Sequence, residues 1–553
     1  MKCLKLSAEI IDLDTHQHFL ELRFHRQFGP RGRIRVPNAE RRNFRLVLRE
    51  LDNSGALLPA SRKEALKLVE LVLSDAAPRV RHSTSRVGWV DGDSFVLPSR
   101  TVGGRAKSLH HSPNSSVLST TWSKSGSLEA WRDGLSEPCR RSSYLLFATA
   151  VPFAGPLLRL RGETEGAFFN LTGESSTGKT LASRVAQSII TRAHKTDLIP
   201  ASLTDRALEE IAFGHNDLAV VIDELGNMKG NEQTRREKFR TRAYELSGGR
   251  GTVRSKSVHQ NLPSLEWALF GITSWESPLN ELARARGEMV RFIDVTIPSR
   301  VDAGIFDLIE DSRDGRPIAA KDLALAVENT IVGNYGVAIE PYLKRLVDDR
   351  TSAAAAVEET VGAFVHLNCR DGDPWDVRLA TKFGLVAAGA RLAADWGIAP
   401  WSVEQAEAAI QVSYEAALSG TITPEEVFDG FLRKVRKAVS DKKHFPVVEE
   451  KTAFSGKSKK KAWGVTRHHR NQGVIVALRR RRFERLCGSA NRRAVIISKL
   501  IESGILWAPQ KNTPTAQMTV KGLFKSQRSR FYCLRKEELR RAWAKPKGHL
   551  GET

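Results

Sequence analysis

Apolar positions along this chain fall into short runs of two periods. Over residues 1 to about 78 they alternate with polar ones, at Leu20, Leu22 and Phe24 and again at Phe44, Leu46 and Leu48, which predicts short half-buried strands. Arg62–Leu73 switches to helical spacing. Residues 79–150 begin with strands punctuated by Gly88, Gly92 and Gly103, pass a Ser/Thr-rich loop over Ser112–Ser127, and end in a helix over Leu128–Ala150. Ala167–Leu171 is an apolar strand broken only by Asn170, and Leu181, Val185 and Ile189 follow at helical spacing. Leu203–Phe213 predicts a helix, Leu218–Ile222 a central strand, Thr234–Ser247 a basic helix, and Trp267–Ile272 another strand. One more strand follows Arg291. Residues 305–430 are Ala-rich and helical. Past a linker at Gly456–Lys461, Gly473–Leu486 and Asn491–Glu502 read as helices. Gly504 stops the second, and two strands lie around Gln517–Val520 and Arg530–Leu534.

That order predicts an α/β protein with a parallel-sheet P-loop NTPase core of the AAA+ kind. The expected segments are a small α+β N-terminal module (1–78), a β-rich segment (79–150), the core (151–304), a helical lid or bundle (305–430), a basic linker (431–462) and a basic winged-helix-like domain (463–553).

Between the Asn170 strand and its helix lie Gly173, Glu174, Ser175, Ser176, Thr177, Gly178, Lys179 and Thr180, the spacing G-x-x-x-x-G-K-[ST]. Glycines let backbone N–H groups turn inward, and the helix N-terminus adds partial positive charge, so the loop suits an anion. Lys179 would reach the β- and γ-phosphates of ATP, and the Thr180 hydroxyl would sit on Mg²⁺. The Leu218–Ile222 strand ends in Asp223-Glu224, where ligands of parallel sheets bind. Asp223 would meet Mg²⁺, directly or through water, and Glu224 would polarise an attacking water, which favours hydrolysis. Thr273 and Ser274, at the end of the next strand, are candidates to touch the γ-phosphate or hold that water.

Charge adds a second theme. From Phe431 onward there are 32 Lys/Arg against 8 Asp/Glu, a net +24 where the whole chain carries +23, so the first 430 residues are near neutral. A neutral body with a basic end predicts one module for a polyanion, most simply DNA. Arg479, Arg480, Arg481, Arg482, Arg492 and Arg493 on the two tail helices are the candidate contacts. Four consecutive arginines cannot share one helix face. The five cysteines are scattered without a C-x-x-C pair, which argues against zinc and disulfides. The longest apolar run, Tyr144–Leu158, is interrupted by Pro152, Gly155 and Pro156 and falls short of a membrane span of about 20 residues. The expectation is a cytoplasmic protein without membrane contact.

The stretches GWVDGDSFVLP, FAGPLLRL, GESSTGKT, VVIDELG, RAYELSGGRGTVR, ITSWES and GEMVRFIDV together resemble the predicted ATPase domain of Cch-like helicases, the domain-of-unknown-function family 927 of phages and mobile elements. The likeness covers about residues 80 to 430. It departs at Thr273-Ser274-Trp275-Glu276, where the family more often has Ser-Thr-Gly-Glu, and at Gly251-Thr252, where it tends to have Gly-Lys. The resemblance implies a homo-oligomeric AAA+ ring supporting DNA replication, in which an arginine of one subunit completes its neighbour's site. Arg291 matches the family motif for that role, with Arg286 and Arg284 behind it. A primase or a replication-initiation protein would be a fitting partner. Gly248–Ser264 lies where replicative AAA+ helicases insert a hairpin, and Arg250, Arg254 and Lys256 would point from it into a ring channel. A helicase or translocase is the leading reading, and an ATP-driven switch tethered to DNA is the rival.

Overall fold

The computed structural model describes residues 4–26, 28–106, 108–112, 122–223, 232–251, 265–276, 278, 289–299, 304–309, 319–369, 373–419, 424–441, 443–449, 462–487, 490–507, 514–518, 520 and 529–544. It divides into two compact units, Met1–Leu279 with Ala285–Gly420, and Thr421–Thr553 with Asn280–Arg284.

The first unit opens with strands β1 (Leu4–Asp12), β2 (His18–Phe24) and β3 (Gly32–Pro37), paired antiparallel. Leu20, Leu22, Phe24 and Val36 turn one face toward helices α1 (Phe44–Asn53) and α2 (Arg62–Ser74). The predicted strand at Phe44–Leu48 is therefore a helix. Its buried residues are Val47, Leu48 and Leu51, at helical spacing, and the Asn43 side chain caps it by accepting from the Leu46 N–H. The expected boundary at 78 cuts through the sheet, because β4 (Val80–Thr84) pairs parallel to β1. A small sheet of β5 (Gly88–Val90), β6 (Ser94–Val96) and β7 (Thr101–Gly103) follows, and β8 (Leu109–His111) then pairs with β4.

The single helix predicted over Leu128–Ala150 is two, α3 (Leu128–Arg140) and α4 (Ser143–Leu160), with Ser142 capping the second by accepting from the Leu145 N–H. α4 runs unbroken through Pro152 and Pro156, which the sequence reading expected to interrupt it. Each proline forfeits one helical hydrogen bond. Burial of Ser143–Leu158 on every side offsets that loss, and a Cβ on Gly155 would lie 2.4 Å from the Leu218 carbonyl carbon. This helix is long and apolar enough by composition to cross a membrane, yet 89% of it is buried inside the fold.

The central sheet is wholly parallel. It contains β9 (Ala167–Thr172), β10 (Ile199–Pro200), β11 (Ala219–Asp223), β12 (Phe270–Trp275) and β13 (Phe292–Thr296), in the order β10-β11-β12-β9-β13. Phe169, Leu171, Val221, Ile272 and Val295 face one core with α4 and α5 (Lys179–Ser188). Phe168, Val220, Ile222 and Phe292 face another with α6 (Asp205–Gly214) and α7 (Glu232–Ser247). Among the described residues five further helices follow: α8 (Ala320–Gly333), α9 (Ile339–Asp348), α10 (Arg350–Asn368), α11 (Pro374–Asp395) and α12 (Val403–Ser419). The lid expected over 305–430 is not a body apart. Phe383 of α11 stacks on Phe147 at 5.4 Å and meets Phe169 of β9 at 5.2 Å, so these helices share the core of the sheet.

The second unit begins with α13 (Pro424–Ser440), where the sequence predicted the start of a linker. Its Phe431, Leu432 and Val435 are core residues beside Phe483, Leu500 and Leu534. β14 (Gly464–His469) and β15 (Gly473–Arg479) form a hairpin, so the helix predicted from Gly473 starts only at Arg480. The run Val-Ile-Val suits a strand, and Ile475 through Leu478 are buried on both faces. α14 (Arg480–Cys487), α15 (Ala490–Glu502), β16 (Leu506–Trp507), β17 (Ala516–Met518), β18 (Ser529–Arg535) and α16 (Lys536–Ala544) complete the unit. Its sheet runs β14-β15-β18-β16, with β17 also on β18.

Candidate functional site

β9 ends at Thr172, and the loop to α5 takes backbone conformations that side chains avoid. Gly173 has φ 149°, Ser176 φ 63° and Gly178 φ 96°. Ser176 is the telling one, a non-glycine residue held in the left-handed region, as strained functional loops are. Lys179 is the first residue of α5, and its ammonium curls back over the loop to donate to the carbonyl of Gly173 at 2.8 Å and to that of Glu174. Thr177 Oγ1 donates to Glu174 O at 2.9 Å, and the Ile305 N–H donates to Thr177 O at 2.9 Å. Thr180 follows Lys179 in the first turn, half-buried, while Glu174, Ser175 and Ser176 are exposed.

Strand register sets what surrounds the loop. Ile222 pairs with Thr273 and Ser274 with Leu171, so Asp223 and Ser274 stand one residue further on, at the C-terminal ends of β11 and β12. Alternation puts Asp223, Ser274 and Leu171 on the face that α5 covers. β11 and β9 flank β12, so Asp223 is about 10 Å across the sheet from the end of β9. Thr273, which the sequence weighed equally with Ser274, belongs to the opposite face. There it lies in register with Asn170, and Asn170 with Asp294 of β13. All three are fully buried, and Asn170 Nδ2 donates to Asp294 Oδ1 at 2.6 Å. This explains the polar break in the apolar strand. The hydroxyls of Thr172 and Thr273 and the Asn170 carbonyl have no hydrogen-bond partner, so unsatisfied buried polar atoms collect at this end of the sheet. Glu224 lies outside the described residues.

Arg291 stands at the other end of the sheet, just before β13, where its carbonyl accepts from the Phe168 N–H. Its guanidinium pairs with Glu165 at 2.6 Å and lies 4.4 Å from the Tyr244 ring centroid. It therefore does not reach the loop after β9 of its own chain. Burial pushes the Glu165 carboxyl up, but Arg291, Lys382 and Arg378 outweigh it and leave its pKa below the usual carboxylate range. Arg284 and Arg286 lie outside the described residues.

Of the expected hairpin, Thr252–Ser264, with Arg254 and Lys256, lies outside the described residues. Its base is described. Gly251 N–H donates to Leu265 O at 2.9 Å and Trp267 N–H to Gly249 O at 3.0 Å, an antiparallel pairing bridged at Arg250 and Glu266. Arg250 belongs to that base, paired with Glu266 at 3.3 Å and largely exposed. The Trp267 indole donates to Leu246 O at 2.6 Å, which joins the base to the end of α7.

In the second unit Arg479 ends β15 and Arg480, Arg481 and Arg482 open α14. Arg480 and Arg493 both reach Glu484, each at 3.0 Å, and Arg482 lies 5.2 Å from the Trp463 ring centroid. Arg480 and Arg481 are exposed. Arg492 is on α15, but its side chain lies outside what is described.

Sequence reasoning missed one structural centre, the turn Asn216-Asp217 before β11. Asp217 has φ 57°, is fully buried, and accepts from Arg159 Nε at 2.7 Å and from the Trp89 N–H at 3.0 Å. Asn216 binds Val87 O and Ala268 N at 2.7 and 2.9 Å. The only sequence signal was a polar pair ahead of an apolar strand.

The family described as a domain of unknown function (DUF927) matches residues 2–260. The match takes in the N-terminal module, which the sequence-level resemblance had left out. No curated protein matches the chain. Among solved structures, "SCCmec type IV Cch - active helicase" is similar in fold at 14% identity and a TM-score of 0.63, over 96% of this chain and 92% of that one. The C-terminal region of NrS-1 in its A-form apo structure overlaps at 9% identity, over 74% and 92% of the two chains, but its TM-score of 0.23 carries no argument.

Proposed function

We propose, for a chain whose residues 2–260 match the model of the DUF927 family, an ATP-hydrolysing DNA helicase or translocase of a phage or mobile element, with an AAA+ core. The carrying observation is the juxtaposition at one sheet end: the left-handed loop with Lys179 after β9, Asp223 at the end of β11, and β12 between them. The strand order β10-β11-β12-β9-β13 supports this, as does the fold likeness to a protein described as an active helicase.

The residues present fit Mg²⁺–ATP. A Cβ on Gly178 would meet the Ile305 side chain at 2.7 Å, so the loop is shaped for glycine. Backbone N–H groups of residues 174–180 and the N-terminus of α5 would hold phosphate oxygens. Lys179 would exchange its carbonyl partners for the β- and γ-phosphates. Thr180 and Asp223 would hold Mg²⁺, an ion that keeps several waters and needs few protein ligands. The bound nucleotide supplies the phosphoanhydride whose cleavage releases energy. Glu224, next to Asp223, takes the proton of the attacking water, and Ser274, on the Asp223 face, orients it. Arg291, or Arg286 and Arg284 before it, serves a neighbouring subunit of a ring.

The second unit is proposed as a winged helix. α13, β14, β15, α14, α15, β16, β17 and β18 follow one another as helix, two strands, two helices and three strands, with β18 between β15 and β16 in the sheet. Its arginines contact DNA phosphates. The switch reading differs in one respect, the task of the hairpin closed by Gly249–Gly251 and Leu265–Trp267. The Arg254→Ala/Lys256→Ala double variant should keep ATP binding and basal turnover while losing at least about tenfold in unwinding of a forked duplex, since each cation removed weakens tracking of the phosphate backbone. Full unwinding by that variant would remove the hairpin from the mechanism.

A further inference from the structure

The N-terminal sheet has a second face, turned away from α1 and α2, that the functions above leave unused. Register places Arg33 opposite Arg23, Arg35 opposite Glu21, and Arg81 opposite Ile10, on neighbouring strands in the order β3-β2-β1-β4. Arg79, just before β4, donates to Ser7 O at 3.3 Å, where the register of β1 against β2 shifts between Leu6 and Ala8. Five guanidinium groups thus share one face with the Glu21 carboxylate; Arg35 also donates to the Ser112 hydroxyl at 2.5 Å and feels Asp12, and Arg81 meets the His110 ring at 3.0 Å.

That carboxylate is already spoken for. Glu21 is fully buried, and its Oε1 takes the Ser7 hydroxyl at 2.6 Å, Arg23 at 3.2 Å and Arg81 at 3.8 Å, while its Oε2 has no partner. Burial works to raise its pKa, and Ser7, Arg23 and Arg81 more than reverse this. Burial depresses the Arg35 and Arg81 values in turn and neighbouring arginines add to this, while Glu21, and Asp12 at Arg35, work in the opposite direction. Arg33 and Arg79 are exposed, and Arg23 keeps 39% of its side-chain exposure.

Self-repulsion of this kind costs stability unless an anion relieves it. Protection of a sheet edge accounts for Arg33 and Arg35 on the edge strand β3, and pairing with Glu21 for Arg23 and Arg81, but neither accounts for the exposed Arg79 on the same face. Four strands about 4.8 Å apart spread the cations over roughly 14 Å, too wide for one phosphate and suited to successive phosphates of an extended chain. Guanidinium forks match phosphate oxygens. The half-buried Phe19 lies on the same face, paired with Ile10, an aromatic beside cations as single-strand binders use.

We propose that this sheet face is a second nucleic-acid contact, binding the phosphates of a single strand independently of the basic C-terminal unit. The test uses the full chain and fluorescein-labelled dT30, with anisotropy titrations across a salt series. Arg33→Gln/Arg35→Gln/Arg79→Gln spares the two arginines that hold Glu21. It should bind dT30 roughly tenfold more weakly, and its log–log salt slope should be shallower by about 2, near 0.7 per lost phosphate contact on a single strand. Arg33→Lys/Arg35→Lys/Arg79→Lys should restore the slope. Phenylglyoxal modification of the wild-type chain, read by mass spectrometry, gives a measurement free of folding effects: dT30 should protect Arg33 and Arg79. An unchanged slope in the Gln variant, or equal reactivity of Arg33 and Arg79 with and without dT30, overturns the proposal and leaves a protein partner for this face. Neither readout involves ATP, so failure of the ATPase reading would not alter them.

Discussion

Lys179→Ala should lower ATP turnover by at least about a hundredfold, the cost of removing one preorganised donor from a charge-stabilising site. The structure gives the reason in its own contacts. Lys179 is the first residue of α5, and its ammonium is held over the loop by the carbonyls of Gly173 and Glu174. Neutral acceptors satisfy the cation there but do not balance its charge, so phosphate oxygens are the stronger partners. Alanine removes both the charge and the reach. Glu224→Gln should separate binding from chemistry: the nucleotide binds and stays, because the proton acceptor is gone while Lys179, Thr180 and Asp223 remain. Steady-state phosphate release and retention of a fluorescent ATP analogue measure the two effects. Wild-type turnover by Lys179→Ala would place the site elsewhere.

Asp217→Ala should destabilise the first unit by about 1–3 kcal/mol, the cost of leaving buried hydrogen-bond donors without their acceptor. Its carboxylate joins three parts of the chain: Arg159 at the end of α4, the Trp89 N–H in β5, and the neighbouring Asn216 side chain. Alanine would leave Arg159 and that N–H without their acceptor. It would also place a residue without a local hydrogen bond at φ 57°, a conformation that Asp and Asn tolerate better than alanine. Asp217→Asn keeps shape and backbone preference and should recover part of the loss. Denaturant midpoints of the unfolding transition report both. A wild-type midpoint for Asp217→Ala would show that the turn does not anchor the sheet.

What the sequence disclosed follows from how local each signal is. The loop 173–180, the apolar strand before it and the acid-tipped strand 219–223 are patterns of a few adjacent residues, and the structure has them at the predicted places. That Thr273 and Ser274 face opposite sides, with only Ser274 on the Asp223 side, needed the register of β12 against β9 and β11, which no single segment encodes. Phe44–Leu48 alternates by chance within a helix whose buried set includes Val47, a tertiary preference overriding a short period. α4 keeps two prolines because neighbours on all sides supply burial that composition cannot reveal. The run Arg479–Arg482 drew the predicted helix back over Gly473–Arg479, although Val-Ile-Val favoured the strand found there. Asn170 was the one anomaly visible in advance, and its cause, Asp294, is distant in sequence but adjacent in the sheet.

The central claim is that nucleotide hydrolysis at the end of β9 and β11 drives DNA strand separation. Strand displacement on a forked duplex, with the wild-type chain and Lys179→Ala side by side in ATP and Mg²⁺, tests it most directly. The account predicts ATP-dependent unwinding by the wild type and none by Lys179→Ala. A wild type that hydrolyses ATP yet separates no fork under any loading condition would contradict it, and the ATP-driven switch tethered to DNA would take its place.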